Sequence, residues 1–357
     1  MPQPVRILVV DDSEIFTDLM VRIITADRRT ELVGVARNGH EAIEQARRLR
    51  PDVISMDVYM PEMDGLEAVT HIMDEVPTPI LLVTAATSEA MTHISFRAIG
   101  SGALDVLPKP AGPDDAKAIV TRLCLMAGVR VRRRPIHGRA EAAPPRPPAA
   151  PGSAPAPHAG RLWTRDHSLR RVDVVAIAIS TGGPPVLERI LSTLRPDWQA
   201  ALVVVQHLSA GFGGHLVDWL GRTSGIPVEL AASEMRLRPG AAFLAPADAH
   251  LSVRMGGRLH VDPEAERVDG HRPSGTVLLD SVATAYGARA AGLVLTGMGH
   301  DGARGLLALR RAGGLTAAQD AASSVVDGMP NSARDLGAAE HVVRLDDLPA
   351  FVRTLGT

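Results

Sequence analysis

The sequence predicts two α/β domains in series. The first is a five-stranded doubly wound domain and the second a doubly wound, mostly parallel one. Three observations predict this. Short apolar runs alternate with helix-like segments on either side of residue 150, which implies parallel sheets with covered faces. The runs are continuously apolar rather than alternating, as strands buried on both faces require. Between the two regions the pattern breaks into an Arg-rich and then Pro/Ala-rich stretch. The 357 residues leave room for two or three domains. The expected boundaries are 5–126, 127–171 and 172–354.

In the first region the strand-like runs are Ile7–Val10, Leu32–Ala36, Val53–Asp57, Ile80–Thr84 and Ala103–Leu107. The helix-like segments between and after them are Glu14–Thr25, Gly39–Leu49, Gly65–Glu75, Glu89–Ile99 and Asp115–Met126. Arg130, Arg132, Arg133 and Arg134 open the stretch that follows, and Pro144, Pro145, Pro147, Pro148, Pro151, Pro155 and Pro157 continue it. Such a composition cannot bury a core and reads as an extended linker. A basic arm can also meet nucleic acid, but no aromatic residues interleave here to stack on bases.

The second region begins at Val172. Val174–Ile179 is strand-like, Pro184–Leu194 helical and Leu202–Gln206 strand-like. Gly214–Arg222 (helix), Ala241–Ala245 (strand), a hairpin from Leu251 to Val261 and Val277–Tyr286 (helix) follow. Gly292–Leu295 (strand), Ala303–Arg311 (helix), Leu315–Gln319 (strand) and a short helix after Pro330 complete it.

Bulk properties exclude several classes. A net charge of -2 provides no overall field for nucleic acid or membrane. No apolar run approaches the roughly 20 residues that span a bilayer, so no membrane insertion is expected. The single cysteine, Cys124, has no intrachain disulfide partner, and no Cys/His cluster has zinc spacing. Met1-Pro2-Gln3-Pro4 lacks the pattern of a leader peptide, so the expected location is the cytoplasm.

Chemistry-bearing residues gather at the expected strand ends. Asp11 and Asp12 follow the first apolar run, Asp57 ends the third, Thr84 ends the fourth and Lys109 follows the fifth. Parallel packing would bring three carboxylates and one ammonium to one sheet edge. Such a cluster calls for a divalent cation, and Mg²⁺ would let a carboxylate accept a phosphoryl group by neutralising the acidic charge. Asp57 is the expected acceptor. Asp12 and Asp57 are the expected direct ligands, with Asp11 acting through water and Tyr59 through its backbone carbonyl. Lys109 would supply fixed positive charge, and Thr84 a hydroxyl for the acquired phosphoryl oxygen. A single strand-end Asp more often caps the next helix; four residues at successive strand ends make that explanation insufficient.

Val10-Asp11-Asp12-Ser13, the run from Met56 to Gly65, Thr84-Ala85 and Lys109-Pro110 resemble the receiver domain of bacterial response regulators. The resemblance covers residues 5 to about 126 and implies a histidine kinase as phosphodonor. Receivers often carry an aromatic residue three positions before the lysine, where this chain has Val106.

In the second region Ser180 follows a strand and precedes Thr181-Gly182-Gly183 and a helix. A helix N-terminus offers free N–H groups and a favourable dipole to an oxyanion. His207 ends a second strand, and Asp301 lies in the Gly-rich loop after a third. The three can converge on one rim, with Ser180 attacking, His207 moving the proton and Asp301 fixing the ring. The order differs from that of α/β-hydrolases, and no G-x-S-x-G elbow is present. A rival reading uses Gly297, Gly299 and Gly302 as a G-x-G-x-x-G dinucleotide fingerprint, with Asp320 about eighteen residues on. It leaves Ser180-Thr181-Gly182-Gly183 and Gln206-His207 unexplained and sets Asp301 near a pyrophosphate. Ordinary loop glycines are the third reading, and spacing alone leaves all three open.

Ser180-Thr181-Gly182-Gly183-Pro184, Val205-Gln206-His207-Leu208 with Gly211-Phe212, and the run from Ala245 to His250 resemble one family. So do Arg272-Pro273-Ser274, the run from Leu295 to Gly302, and Gly328-Met329-Pro330. It is the catalytic domain of chemotaxis protein-glutamate methylesterases (CheB), matched from about Val172 to Val352. The resemblance implies a phosphorylation-activated esterase that removes methyl groups from glutamates of methyl-accepting chemoreceptors and also deamidates glutamines. It carries the catalytic roles to Ser180, His207 and Asp301, offers the Met298 backbone as an oxyanion donor, and implies no cofactor for the esterase reaction. Ile179 and His300 stand where the family usually has Ala and Asn. The competing functional classes are a response regulator with a non-catalytic nucleotide- or partner-binding module, a transcriptional regulator and a general serine hydrolase. No helix-turn-helix spacing supports the transcriptional one.

Overall fold

The computed structural model describes residues 3–85, 105–110, 112–128, 160–164, 170–208 and 213–357. The chain divides into two compact units, Met1–Ala154 and Pro155–Thr357.

In the first unit β1 (Val5–Val10), β2 (Thr30–Ala36), β3 (Val53–Met56), β4 (Ile80–Thr84) and β5 (Asp105–Pro108) form one parallel sheet. Its order is β2-β1-β3-β4-β5. Helices α1 (Glu14–Ala26), α2 (Gly39–Leu49), α3 (Gly65–Glu75) and α4 (Pro113–Met126) are among its described elements. Ser13, Asn38 and Asp64 cap the first three by accepting hydrogen bonds from backbone N–H groups. The expected helix at Glu89–Ile99 and the start of the fifth strand lie outside the described residues. The strand order reverses between β1 and β3, and ligands of open α/β sheets bind at such a reversal. Val10 pairs with Met56 there. Asp11 and Asp57 therefore leave the sheet side by side.

The second unit holds an eight-stranded sheet, and every pairing in it is parallel. Its strands are β6 (Arg161–Leu162), β7 (Val174–Ile179), β8 (Ala201–Gln206), β9 (Val228–Leu230), β10 (Ala241–Leu244), β13 (Ala290–Val294), β14 (Leu315–Gln319) and β15 (His341–Val343). They are ordered β6-β15-β14-β13-β7-β8-β10-β9. The expected polar hairpin is β11 (His250–Arg254) with β12 (Arg258–Asp262), an antiparallel pair in a separate sheet.

The helices are α5 (Gly183–Leu191), α6 (Gly213–Thr223), α7 (Gly275–Tyr286), α8 (Ala303–Arg311), α9 (Gly328–Asp335) and α10 (Leu348–Thr354). Helix α7 packs on α8 and α8 on α9, while α5 packs on α6 and α10. Two such sets suit the two faces of a parallel sheet. All six residues of β7 and of β8 are buried, which explains their unbroken apolar sequence.

The differences from expectation have local causes. Helix α9 begins before Pro330 rather than after it. The proline sits in the first turn, where the N–H it lacks would have no intrahelical partner. The segment expected as linker also contributes structure. Arg161 N donates to Glu340 O at 2.8 Å and Trp163 N to Val342 O at 2.9 Å, which builds β6 on the sheet edge. Trp163 is 1% exposed and meets Phe351 edge-on at 5.3 Å. Most of the remaining linker residues lie outside the described ones.

Candidate active site

The carboxyl edge of the eight-stranded sheet gathers the catalytic candidates. Ile179 pairs with Gln206, and the residues after them are Ser180 and His207. On the other side of β7, Val294 pairs with Ala178, so the loop after β13 rises beside Ser180. Ser180 N donates to Thr296 O at 2.9 Å and Gly297 N to Val326 O at 2.9 Å. The strand order reverses between β13 and β7. The site thus occupies the switch point of its sheet.

Asp301 is fully buried. Its Oδ1 accepts from Ser274 Oγ at 2.7 Å and Thr276 N at 3.0 Å. Its Oδ2 accepts from Gly275 N at 2.6 Å and faces His207 Nε2 at 2.8 Å. Burial alone would raise this carboxyl, but the bonds from His207, Ser274 and Thr276 outweigh it. They hold the carboxyl well below the usual carboxylate range. Asp301 also sits at the start of α7, where free N–H groups and the helix dipole favour an anion.

An ionised carboxylate accepts only, so His207 Nε2 carries the hydrogen. Nδ1 is then the basic nitrogen; it is buried and among the described residues has no hydrogen-bond partner. His271 stacks on the His207 ring at 4.0 Å with the planes 6° apart. Ser180 is buried beside them, and among the described residues no hydrogen bond joins its hydroxyl to the ring. The structure therefore brings His207 and Asp301 into contact and sets Ser180 on the adjacent strand end. Met298 is half-buried on the same rim, and among the described residues no protein acceptor takes its N–H.

Several supporting residues escaped the sequence reading. Thr296 Oγ1 donates to Thr181 O at 2.9 Å and accepts from Val326 N at 3.0 Å, while Gln319 Oε1 accepts from Thr296 N at 3.0 Å. Ser274 N donates to His250 Nδ1 at 3.2 Å, and His250 Nε2 meets Glu266 O at 2.9 Å. A serine ahead of an apolar helical run is a legible cap signal. Its second role, donating to a carboxylate from another loop, has no local signature.

In the first unit, ligand atoms of Asp11, Asp12 and Asp57 lie within 4.8 Å of one another. Lys109 Nζ donates to Asp11 Oδ1 at 3.0 Å and lies 2.6 Å from Asp57 Oδ2. Asp57 Oδ1 accepts from Val58 N at 2.6 Å. Burial pushes the Asp11 carboxyl up to about 6, against the bonds from Lys109 and Ser13 N and with added repulsion from Asp57. Burial would lower the Lys109 ammonium, but Asp11 and Asp57 overcome this and raise it. Three clustered carboxylates against one ammonium, all hard oxygen donors, fit a small divalent cation. Thr84 is fully buried at the end of β4, and among the described residues its hydroxyl has no partner. Tyr59 is half exposed beside Asp57.

The chain has close relatives. The CheB methylesterase family matches residues 175–352, and the response regulator receiver domain matches residues 7–121. A protein-glutamate methylesterase/protein-glutamine glutaminase of Anaeromyxobacter dehalogenans is 45% identical over 348 residues, covering 96% of each chain. One from Myxococcus xanthus is 44% identical over 351 residues, covering 97% of this chain and 95% of that one. The crystal structure of the Thermotoga maritima CheB methylesterase catalytic domain aligns at 33% identity with a TM-score of 0.50. It covers 52% of this chain and 98% of that one.

Proposed function

Because this chain belongs to the CheB methylesterase family and carries a response regulator receiver domain ahead of the catalytic domain, we infer that its two sites form a phosphorylation-controlled hydrolase. It is a protein-glutamate methylesterase/protein-glutamine glutaminase. The observation that carries the catalytic assignment is the bond from His207 to the buried, anionic Asp301 next to Ser180.

His207 Nδ1 takes the Ser180 proton as Oγ attacks the glutamyl ester carbonyl. The Ser180 N–H is committed to Thr296 O, so it offers nothing to the oxyanion. Met298 N–H supplies that donor. His207 then protonates the departing methoxide, and methanol leaves an acyl group on Ser180. Water, deprotonated by the same nitrogen, releases the glutamate. With glutamine the leaving group is ammonia, and the same residues serve.

The loop after β13 has little slack. A Cβ on Gly297 would stand 2.3 Å from Met329 Sδ and 2.7 Å from Ser180 Cβ. Gly297→Ala is expected to cost about 1–3 kcal/mol of stability and to lower kcat roughly 10–100-fold by shifting the nucleophile. Thermal melting and methanol release check this, and wild-type values in both would show that the fit is loose.

In the receiver, Asp57 is the phosphoacceptor. Asp12 and Asp57 directly, Asp11 through water, and the Tyr59 carbonyl would hold Mg²⁺. When bound, the cation neutralises charge at the acceptor. Lys109 pairs with the phosphoryl group, and Thr84 donates its unused hydroxyl. A histidine kinase is the phosphodonor. Chemoreceptor cytoplasmic helices are the substrate, and the enzyme shares their compartment. Among the described residues no helix is long and apolar enough to cross a membrane. Phosphorylation of the receiver shifts the population toward a more active form of the esterase.

The test is methanol release from a peptide bearing glutamate methyl ester, with Mg²⁺ and a small-molecule phosphodonor. The wild-type chain is expected to hydrolyse the ester faster with both than with either alone. Asp57→Asn or a chelator should remove the increment and leave basal turnover. An increment that survives Asp57→Asn would sink the regulatory part, and no methanol release under any condition would sink the whole reading.

A further inference from the structure

We propose that Gln206 is a positioning residue of the esterase, whose amide ties the turn bearing the nucleophile to the backbone bearing the base. The proposal rests on the assignment of Ser180 and His207 as nucleophile and base. Gln206 ends β8 and is 5% exposed. Its Nε2 donates to Ser180 O at 2.9 Å and to His207 O at 3.0 Å.

An amide nitrogen has two hydrogens, and both are used here. Turning the amide over would aim its oxygen at two carbonyl oxygens, so the surrounding acceptors fix its orientation. Among the described residues the hydroxyl of Ser180 makes no bond to the His207 ring. The spacing of the two therefore depends on how their backbones are held. Strand pairing holds Ile179 O to His207 N at 3.0 Å, one residue short of the nucleophile. The Gln206 amide extends that connection to Ser180 itself, past the last strand pair.

The other end of the amide shows that packing is not its purpose. Oε1 is buried and among the described residues has no hydrogen-bond partner. An unpaired buried oxygen is a cost that an apolar side chain of the same volume would avoid. What the position uses is the donor end. Oε1 also lies where a Cβ on Gly183 would approach to 2.1 Å. Gly183 therefore leaves the room in which the amide sits, and an alanine there would displace the amide without altering its chemistry, while also pressing on Ile179 Cγ1 at 2.9 Å.

The experiment uses the full chain and follows methanol release from a glutamyl methyl ester peptide. Gln206→Met keeps the volume and removes both donors. It should lower kcat by about 10–100-fold, as a small misplacement of reacting groups does. KM should stay within about threefold, since ground-state binding is untouched. Gly183→Ala should lower kcat in the same way. Gln206→Glu replaces the donor nitrogen with an oxygen that regains one hydrogen only when protonated. Its kcat relative to that of Gln206→Met should rise as pH falls. His207, Asp301 and His271, which stacks on the His207 ring, are present in both variants.

Wild-type kcat in folded Gln206→Met would overturn the proposal, as would a ratio that is flat with pH. If Gln206→Met does not fold, wild-type kcat in Gly183→Ala overturns it instead. Ser180→Ala separates the two levels. An inactive Ser180→Ala beside fully active Gln206 variants removes only the positioning role. An active Ser180→Ala removes the nucleophile assignment and this proposal with it.

Discussion

Ser180→Ala is expected to lower methanol release by roughly 10⁴-fold or more while the chain melts at nearly the wild-type temperature. The reasons are local. The Ser180 backbone is held by Thr296 O, Gly183 N and the Gln206 amide, and none of these bonds involves its Oγ. Removing the hydroxyl therefore deletes the proposed attacking atom and leaves the turn in place. The residual rate belongs to the oxyanion donor and to substrate binding. Turnover within tenfold of wild type would mean that another group forms the acyl intermediate.

Asp301→Asn is expected to lower kcat by a similar factor, about 10⁴-fold, and unlike the serine change it should also destabilise the fold. The carboxylate takes hydrogen bonds from Ser274 Oγ, Gly275 N and Thr276 N as well as from His207. An amide can accept on one side only, so its NH₂ must confront donors. The expected loss is roughly 3 kcal/mol, the scale for a buried charged acceptor.

The sign of the pH dependence follows from the depressed carboxyl. Its unfolded counterpart titrates near 4, so the stability it contributes is complete above about pH 4 and is lost as pH falls below that. Wild type and variant should therefore differ most near neutrality and converge in acid. Urea titrations at pH 7 and pH 3 measure the gap. Equal stability at pH 7 would show that the carboxylate contributes nothing to the fold.

What the sequence disclosed depended on range. Strands such as Val174–Ile179 and Ile80–Thr84 were legible because parallel strands buried on both faces are apolar throughout. Strands of two or three residues, β6, β9 and β15, are too short to carry a pattern. They exist because a longer neighbour offers an edge. Ser180, His207 and Asp301 are legible as residues that follow strand ends, but spacing alone leaves a triad, a dinucleotide loop and ordinary loop glycines open, and the family resemblance favours the triad. The geometry adds contacts that spacing does not encode. Asp301 is held in place by Ser274 and Thr276, some 25 residues earlier in the chain, and Gln206 reaches back to Ser180. Contacts between a loop and the start of another helix leave no periodic trace.

The catalytic sheet ends on β6, two residues long, at one margin and on β9, three residues long, at the other. An extended ribbon from another molecule would find too few unpaired amides at either border to zip onto. The margins of this sheet therefore give little template for strand addition by a visiting chain.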